Sequence, residues 1–361
     1  MKDAIIIGTR PEIIKCSPLI KLYEQKRVDF VLIHTNQHYS FNMDEIFFEE
    51  LQLRKPDYNL NVGSGSHAEQ TGKIMVGIEK LLQSEKIGCI LVQGDTNTVM
   101  GSALAAAKLQ VKIGHIEAGL RSFDRSMPEE INRVITDHIS DYLFCPTERS
   151  RQNALAEGIP HDKIYLVGNT IVDATLRNYE IAKEKATSVL KSMELQDNKY
   201  NLLTAHRPAN VDDPVRLKQL IDIMQVITTE TGNPILFPIH VRTKSRLEAT
   251  GLLKQVPAQV KLVDPIGYWE FLILEKHASF IFTDSGGVQE EACILRRPCI
   301  TLRDNTERPE TVDVGANAIV GYDIDKIKKA MVDLAAHKFD YVIPFGIGDT
   351  SERIFDILHK E

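Results

Sequence analysis

The stretch Thr283-Asp284-Ser285-Gly286-Gly287-Val288-Gln289-Glu290-Glu291-Ala292 holds a hydroxyl, two glycines and, about one helical turn on, a carboxylate. An apolar run at 278–282 precedes it and a helix-compatible run at 288–295 follows, so the chain reads as strand, tight turn, helix start. Such a turn points unpaired backbone N–H groups outward at the positive end of a helix dipole. Gly286 and Gly287 let a phosphate approach without meeting a Cβ. Ser285 adds a hydroxyl donor, and Glu291 stands where it could accept from the hydroxyls of a ribose. The segment reads as a site for a sugar nucleotide or similar phosphate ester. Its plainer reading, a Ser/Gly-capped helix with acidic residues in the first turn, needs no ligand.

Other strand ends carry comparable groups. Gly8-Thr9-Arg10-Pro11-Glu12 follows the first strand, with Lys15 on the same helix; Arg10 could fork onto a phosphate and Lys15 could add charge. Gln93-Gly94-Asp95-Thr96-Asn97 and Glu117-Ala118-Gly119-Leu120-Arg121 follow two more strands, placing Asp95 and Glu117 at strand termini. In Met127-Pro128-Glu129-Glu130-Ile131-Asn132-Arg133, Pro sits at the first helical position, and Glu129 and Arg133, four apart, share a helix face. Later strands end at Thr204-Ala205-His206-Arg207, at Pro238-Ile239-His240 and at Arg303-Asp304-Asn305-Thr306-Glu307-Arg308-Pro309-Glu310. Each admits a structural reading, Asp95 as a helix cap and Glu129–Arg133 as a solvated ion pair. Together they place three carboxylates, Asp95, Glu117 and Glu129, in one half of the chain and a phosphate turn with His206 in the other. Carboxylates crowded in a closed cleft suit proton transfer.

The elements that must position these groups alternate. Strand candidates at 5–7, 28–34, 87–93, 112–116, 142–145 and 164–167 are interleaved with helix candidates at 11–25, 43–51, 98–109 and 128–139. A charged helical stretch at 179–199 intervenes. The alternation then restarts with strands at 200–204, 234–238, 260–263, 280–283 and 299–302 and helices at 214–231, 243–250, 268–276 and 288–295. This predicts two doubly wound α/β domains, at 1–170 and 171–345, facing a cleft, with a helix at 346–361 crossing back onto the first. In open α/β sheets ligands bind beyond the carboxyl ends of the strands.

The 361 residues suit two domains, and 43% hydrophobic with 26% charged residues describes a soluble globular protein. A net charge of −7 argues against a nucleic-acid partner. No apolar run approaches the ~20 residues needed to span a bilayer. Five scattered cysteines without a C-x-x-C spacing read as reduced thiols of a cytosolic protein and form no zinc-site pattern.

Taken in order, these motifs, with His115-Ile116-Glu117-Ala118-Gly119-Leu120-Arg121, Val167-Gly168-Asn169-Thr170 and Ala205-His206-Arg207, resemble the non-hydrolysing UDP-N-acetylglucosamine 2-epimerases. The archaeal-type branch is the nearest match, through His34-Thr35-Asn36-Gln37-His38-Tyr39 and Gln70-Thr71-Gly72. The resemblance implies a B-type glycosyltransferase fold of two Rossmann-like domains. It implies reversible inversion at C2 of UDP-GlcNAc to UDP-ManNAc, by elimination of UDP to a 2-acetamidoglucal and re-addition, with no NAD and no metal. It implies a cytoplasmic homodimer. By position, Arg10, His206, Ser285, Gly286 and Gly287 would hold the diphosphate, Glu291 the ribose, and the 265–268 loop with Phe271 the uracil. Asp95, Glu117 and Glu129 would handle the proton at C2 and the sugar hydroxyls, with Arg133 orienting them and Lys15 supporting the first loop. Which carboxylate is base and which acid stays open. Gln37 and His240 match the site at which bacterial members take a second, activating UDP-GlcNAc. Gly63-Ser64-Gly65-Ser66-His67 and Ser40 depart from that site. A 2-epimerase of a modified sugar such as a diacetamido-uronate would need a cation near C6, for which Arg242 and Arg303 are candidates; a hydrolysing enzyme and a non-catalytic sensor are further alternatives.

Overall fold

The structure is a computed structural model and describes residues 1–37 and 47–360. Part of the helix expected at 43–51, and His38, Tyr39 and Ser40, lie outside the described residues. The chain divides into two compact units, one made of Met1–Arg177 with Phe345–Glu361, the other of Asn178–Pro344.

The first unit holds a parallel sheet of seven strands: β1 (Lys2–Ile7), β2 (Phe30–His34), β3 (Tyr58–Asn59), β4 (Ile87–Gln93), β5 (Lys112–Ile116), β6 (Tyr142–Cys145) and β7 (Ile164–Leu166), in the order β3-β2-β1-β4-β5-β6-β7. The second holds six parallel strands: β8 (Asn201–Thr204), β9 (Ile235–Pro238), β10 (Val260–Val263), β11 (Phe280–Thr283), β12 (Cys299–Thr301) and β13 (Asn317–Ile319), ordered β10-β9-β8-β11-β12-β13. Six strands of the first sheet and five of the second fall where the alternation predicts; the short edge strands β3 and β13 have no counterpart in it.

A parallel sheet covered on both faces needs strands that are apolar on both sides. In β1, Ala4 and Ile6 pack with Ile74, Ile78, Val99 and Ala103 of the His67–Ser84 and Asn97–Lys108 helices, while Ile5 and Ile7, also fully buried, face the other way. The second sheet repeats this. Leu203, Phe282 and Ile300 enter one cluster with Leu217, Met224 and Ile327; their neighbours Leu202, Ile281 and Cys299 enter another with Ile273 and Ala292.

The His67–Ser84 helix has no counterpart among the elements read from the sequence. Its signals are present nonetheless. Ser66 accepts from the Glu69 amide while Glu69 accepts from the Ser66 amide, closing a capping box, and Gln70, Ile74, Ile78 and Leu82 form its buried stripe. The Ile324–Ala336 helix and the edge strand β13 were likewise not anticipated.

The strand order reverses between β1 and β4 in the first sheet and between β8 and β11 in the second. At such switch points the loops leaving adjacent strands diverge and leave a crevice. The segments 8–15 and 93–97 leave β1 and β4; the segments 204–207 and 283–287 leave β8 and β11. The final helix, Thr350–Leu358, belongs to the first unit, where Asp173 accepts from the Thr350 and Ser351 amides at 3.3 and 2.8 Å. All five cysteines are buried and free. Among the described residues no helix is long and apolar enough to cross a membrane.

Candidate active site

In the first unit the turn after β1 is organised by Glu12. Its carboxylate accepts from the Gly8 amide at 2.5 Å, the Thr9 amide at 3.2 Å and the Thr96 hydroxyl at 2.6 Å, so it ties the β1 turn to the β4 turn. Burial pushes the Glu12 carboxyl up to about 7 against these hydrogen bonds. Arg10, on the same turn, lies 4.8 Å from the centroid of the Phe47 ring. Lys15, one turn further along the helix, is buried and reaches Glu117.

Glu117 sits at the end of β5 in a left-handed conformation, φ 73°, and is almost completely buried. Lys15 Nζ donates to both of its oxygens, at 2.7 and 3.0 Å. Asn169 adds a bond to Oε1 at 3.2 Å, and the Gln93 amide donates to Oε2. The carboxylate is thus surrounded by a cation and two amides, the surroundings a buried charge requires. Asp95 differs. Arg133 donates to its Oδ2 from Nε at 3.0 Å and from Nη2 at 2.6 Å, and Asn132 donates to its backbone carbonyl at 2.8 Å. No described residue bonds Oδ1, and the side chain is 31% exposed, so this oxygen can meet a ligand.

Arg133 has a second partner, Glu130, at 2.8 Å. Glu130 also accepts from the Ser122 and Phe123 amides, both at 2.9 Å; burial opposes its ionisation, but these bonds hold the carboxyl below its ordinary range. Glu129, expected to share a face with Arg133, is exposed in the first helical turn, and the pairing falls to Glu130. The Pro128–Ile139 helix buries Glu130, Asn132 and Arg133 and leaves the Glu129 side chain exposed.

In the second unit the phosphate turn and His206 share a buried anchor. Asp284 Oδ2 accepts from the amides of His206 at 3.0 Å and Arg207 at 2.9 Å and from Asn210 Nδ2 at 3.0 Å, while Oδ1 stands 3.4 Å from His206 Nδ1. That turns His206 Nε2 outward. Ser285 caps the Gly286–Ile294 helix by position, but its hydroxyl makes no cap bond and stays available. Thr204, His206, His240, Phe271 and Ser285 border a cavity of about 190 Å³ together with Pro265 and Ile266. The His206 and His240 rings are 5.7 Å apart. Glu291 is buried one turn into the helix, and its neighbour Glu290 pairs with Arg308 at 2.7 Å. The loop after β12 is held internally: Arg303 bonds Glu307 at 2.9 and 2.8 Å, and although burial opposes it, this guanidinium holds the Glu307 carboxyl down at about 2.

A family model described as UDP-N-acetylglucosamine 2-epimerase matches residues 20–359. The chain belongs to the UDP-N-acetylglucosamine 2-epimerase family. Within that family it is 56% identical to the UDP-N-acetylglucosamine 2-epimerase of Methanocaldococcus jannaschii, with 99% of each chain covered. A crystal structure of the M. jannaschii UDP-GlcNAc 2-epimerase in complex with UDP-GlcNAc and UDP superimposes with a TM-score of 0.92 at 55% identity, covering all of both chains. A UDP-2,3-diacetamido-2,3-dideoxy-D-glucuronate 2-epimerase from Pseudomonas aeruginosa is 42% identical over the whole of both chains.

For this epimerase-family chain, geometry groups the residues named from sequence by unit. Arg10, Lys15, Asp95 and Glu117 stand at or just beyond the β1/β4/β5 ends of the first sheet, and Arg133 reaches Asp95 there from the Pro128–Ile139 helix. His206, His240, Phe271, Ser285, Gly286, Gly287 and Glu291 stand at the switch point of the second or next to it. Gln37 is spoken for inside the first unit: its Oε1 accepts from the Thr98 amide at 3.1 Å and the Thr98 hydroxyl at 2.8 Å. Sequence reasoning gave no role to Gln93, Asn169, Glu130 or Asp284, although each lies within or beside a segment it singled out. Gln93, Asn169 and Asp284 stand at or near strand ends and Glu130 in the first turn of a helix, positions that many caps share.

Proposed function

We propose that this protein interconverts UDP-GlcNAc and UDP-ManNAc, eliminating UDP to leave a 2-acetamidoglucal and adding it back with the proton delivered to the opposite face of C2. The observation that carries this reading is that each unit sets chemistry at its own switch point: in the second a glycine-turn helix start beside His206, in the first an arginine-held Asp95 with one uncommitted oxygen. Full-length membership of the family and the UDP-GlcNAc and UDP complex of the 55% identical relative support it.

In this reading the amides at Gly286 and Gly287, the Ser285 hydroxyl, His206 Nε2 and Arg10 hold the diphosphate. They act where charge grows as the C1–O bond breaks, which is where fixed donors accelerate an elimination most. Glu291 takes the ribose and Phe271 borders the uracil. Asp95 is the group that exchanges the proton at C2, because its Oδ1 is open. Glu117, whose acceptor positions are filled by Lys15, Gln93 and Asn169, holds the local charge pattern, and Glu129 handles a sugar hydroxyl. Gln37 and His240 answer to the second-ligand positions of bacterial members. The protein acts in the cytoplasm as a homodimer and supplies ManNAc-type precursors for glycan synthesis.

A uronate substrate is the second reading, and the Pseudomonas relative keeps it in view. The two cations it would call on are both engaged by carboxylates: Arg303 by Glu307, and Arg242 by Asp212 at 3.0 and 2.6 Å. That favours a neutral C6 hydroxymethyl. Incubation with UDP-GlcNAc in deuterated water, followed by NMR, tests the proposal. UDP-ManNAc with deuterium at C2 is the expected product; free ManNAc would mean hydrolysis, and a folded protein giving neither exchange nor product would refute it.

A further inference from the structure

The ends of β4 and β5 are joined by a buried network. His115 Nε2 lies 2.8 Å from the Gly94 carbonyl, and the next residue of β5, Ile116, accepts from the Gly94 amide at 3.0 Å. Gly94, with φ 87°, is therefore gripped on both sides immediately before Asp95. His115 Nδ1 lies 2.7 Å from Asp137 Oδ1, and neither side chain has any exposed surface. Asp137 Oδ2 accepts from the Gly119 amide at 3.1 Å and from Arg121 Nη2 at 2.7 Å, and Arg121 continues to Glu157 at 2.7 Å. Asp137 and Arg133 are four apart on one helix, so the helix that holds the Asp95 carboxylate also holds His115.

We infer that His115 is a positioning residue that donates from both ring nitrogens and locks the Asp95 turn and the Glu117–Gly119 turn at one fixed separation. A carbonyl oxygen has no proton to give, so Nε2 must donate to Gly94. Asp137 Oδ2 already takes the Arg121 guanidinium and the Gly119 amide, the partners of an ionised carboxylate, so Oδ1 is an acceptor and Nδ1 must donate too. A single ring thus ties the β4 turn, through its backbone, to the carboxylate that also secures Gly119, two residues after Glu117. Glu117 and Gly119 are both left-handed, φ 73° and 77°, and a Cβ at Gly119 would stand 2.2 Å from the Ser150 carbonyl, so this turn packs closely on Ser150.

The catalytic part of this inference rests on the proposed C2 chemistry; the hydrogen-bond part does not. Two measurements separate them. In uniformly 15N-labelled protein, with the His115 ring assigned by its absence in His115→Phe or by through-bond correlation in the unsubstituted protein, both ring nitrogens are expected to carry a hydrogen. A ring with one bare nitrogen overturns the inference whether or not the protein is an epimerase. In kinetics, His115→Gln is expected to lower kcat for C2 exchange about 100-fold, as a small misplacement of reacting groups does, with KM for UDP-GlcNAc within about threefold. An unchanged kcat, or a loss confined to KM, overturns the positioning role. If the unsubstituted protein shows no C2 exchange, the proposed function fails and the NMR result still decides the state of the ring.

Discussion

At the residue scale, two carboxylates at neighbouring strand ends are dressed differently. Glu117 spends its acceptor capacity on Lys15, Gln93 and Asn169, whereas Asp95 gives Arg133 one oxygen and keeps the other open. Replacing Asp95 by Asn keeps the shape and removes the base; it should reduce deuterium incorporation at C2 by about 10²–10⁴-fold. UDP affinity, measured by calorimetry, should be largely retained, and its collapse would show that Asp95 binds rather than reacts. Lys15→Met leaves the Glu117 carboxylate buried without its cation, a change that costs about 3–5 kcal/mol when a buried pair is broken from one side. Urea unfolding should register that loss, and a change under about 1 kcal/mol would mean the pair is solvated.

At the scale of elements, the working unit is a strand, a tight turn and a helix start. The turn after β1 shows what such a unit demands. A Cβ at Gly8 would stand 2.1 Å from Thr98 Oγ1 and 2.3 Å from Thr35 Oγ1. Gly8→Ala should therefore destabilise the protein by about 2 kcal/mol through overpacking, readable as a lower denaturation midpoint. Glu12 closes the same turn and brings a pH dependence with a definite sign. Its folded carboxyl is raised from 4.5 to about 7, so the folded state keeps a proton that the unfolded chain releases. The stability it contributes is full below about pH 4.5 and is lost as pH rises toward 7, by about 3 kcal/mol. Glu12→Gln cannot ionise and should escape that loss. The stability difference between parent and variant should move in the variant's favour by about that amount from pH 4 to pH 8; a flat difference would show that Glu12 is ionised throughout.

At the scale of the whole molecule, the chain leaves its first unit at Arg177, builds the second, and returns at Phe345. The returning segment is wired into the first unit. The Asn169 amide donates to the Phe345 carbonyl at 2.7 Å, Asp173 caps the final helix, and Phe355 and His359 pack on Tyr23 with ring centroids 5.1 and 5.6 Å away. Deleting the chain after Pro344 strips Asp173 of both donors and uncovers Tyr23. The first unit should then melt at lower temperature by circular dichroism. The single tryptophan, Trp269, lies in the second unit, so its fluorescence transition should stay near its parent value. Coincident downward shifts of both signals would show that the two units unfold together.

The alternation of apolar strands and helices, the glycine turns and the chemistry at strand ends were all legible in the sequence, because they depend on spacing along the chain. Periodicity gave both parallel sheets apart from their two- and three-residue edge strands β3 and β13, too short to show a period, and strand-end position was enough to single out Asp95, Glu117, His206 and Ser285. What the linear order could not show is which polar group meets which. Glu117 is held by Lys15, 102 residues away, and Asp95 by Arg133, 38 residues away; helix spacing pointed Arg133 at Glu129 when the fold turned it to Glu130 and Asp95. His115 looked like one more polar residue in an apolar strand. Only packing, which brings Gly94 and Asp137 to its two nitrogens and excludes water from both, decides that it donates twice.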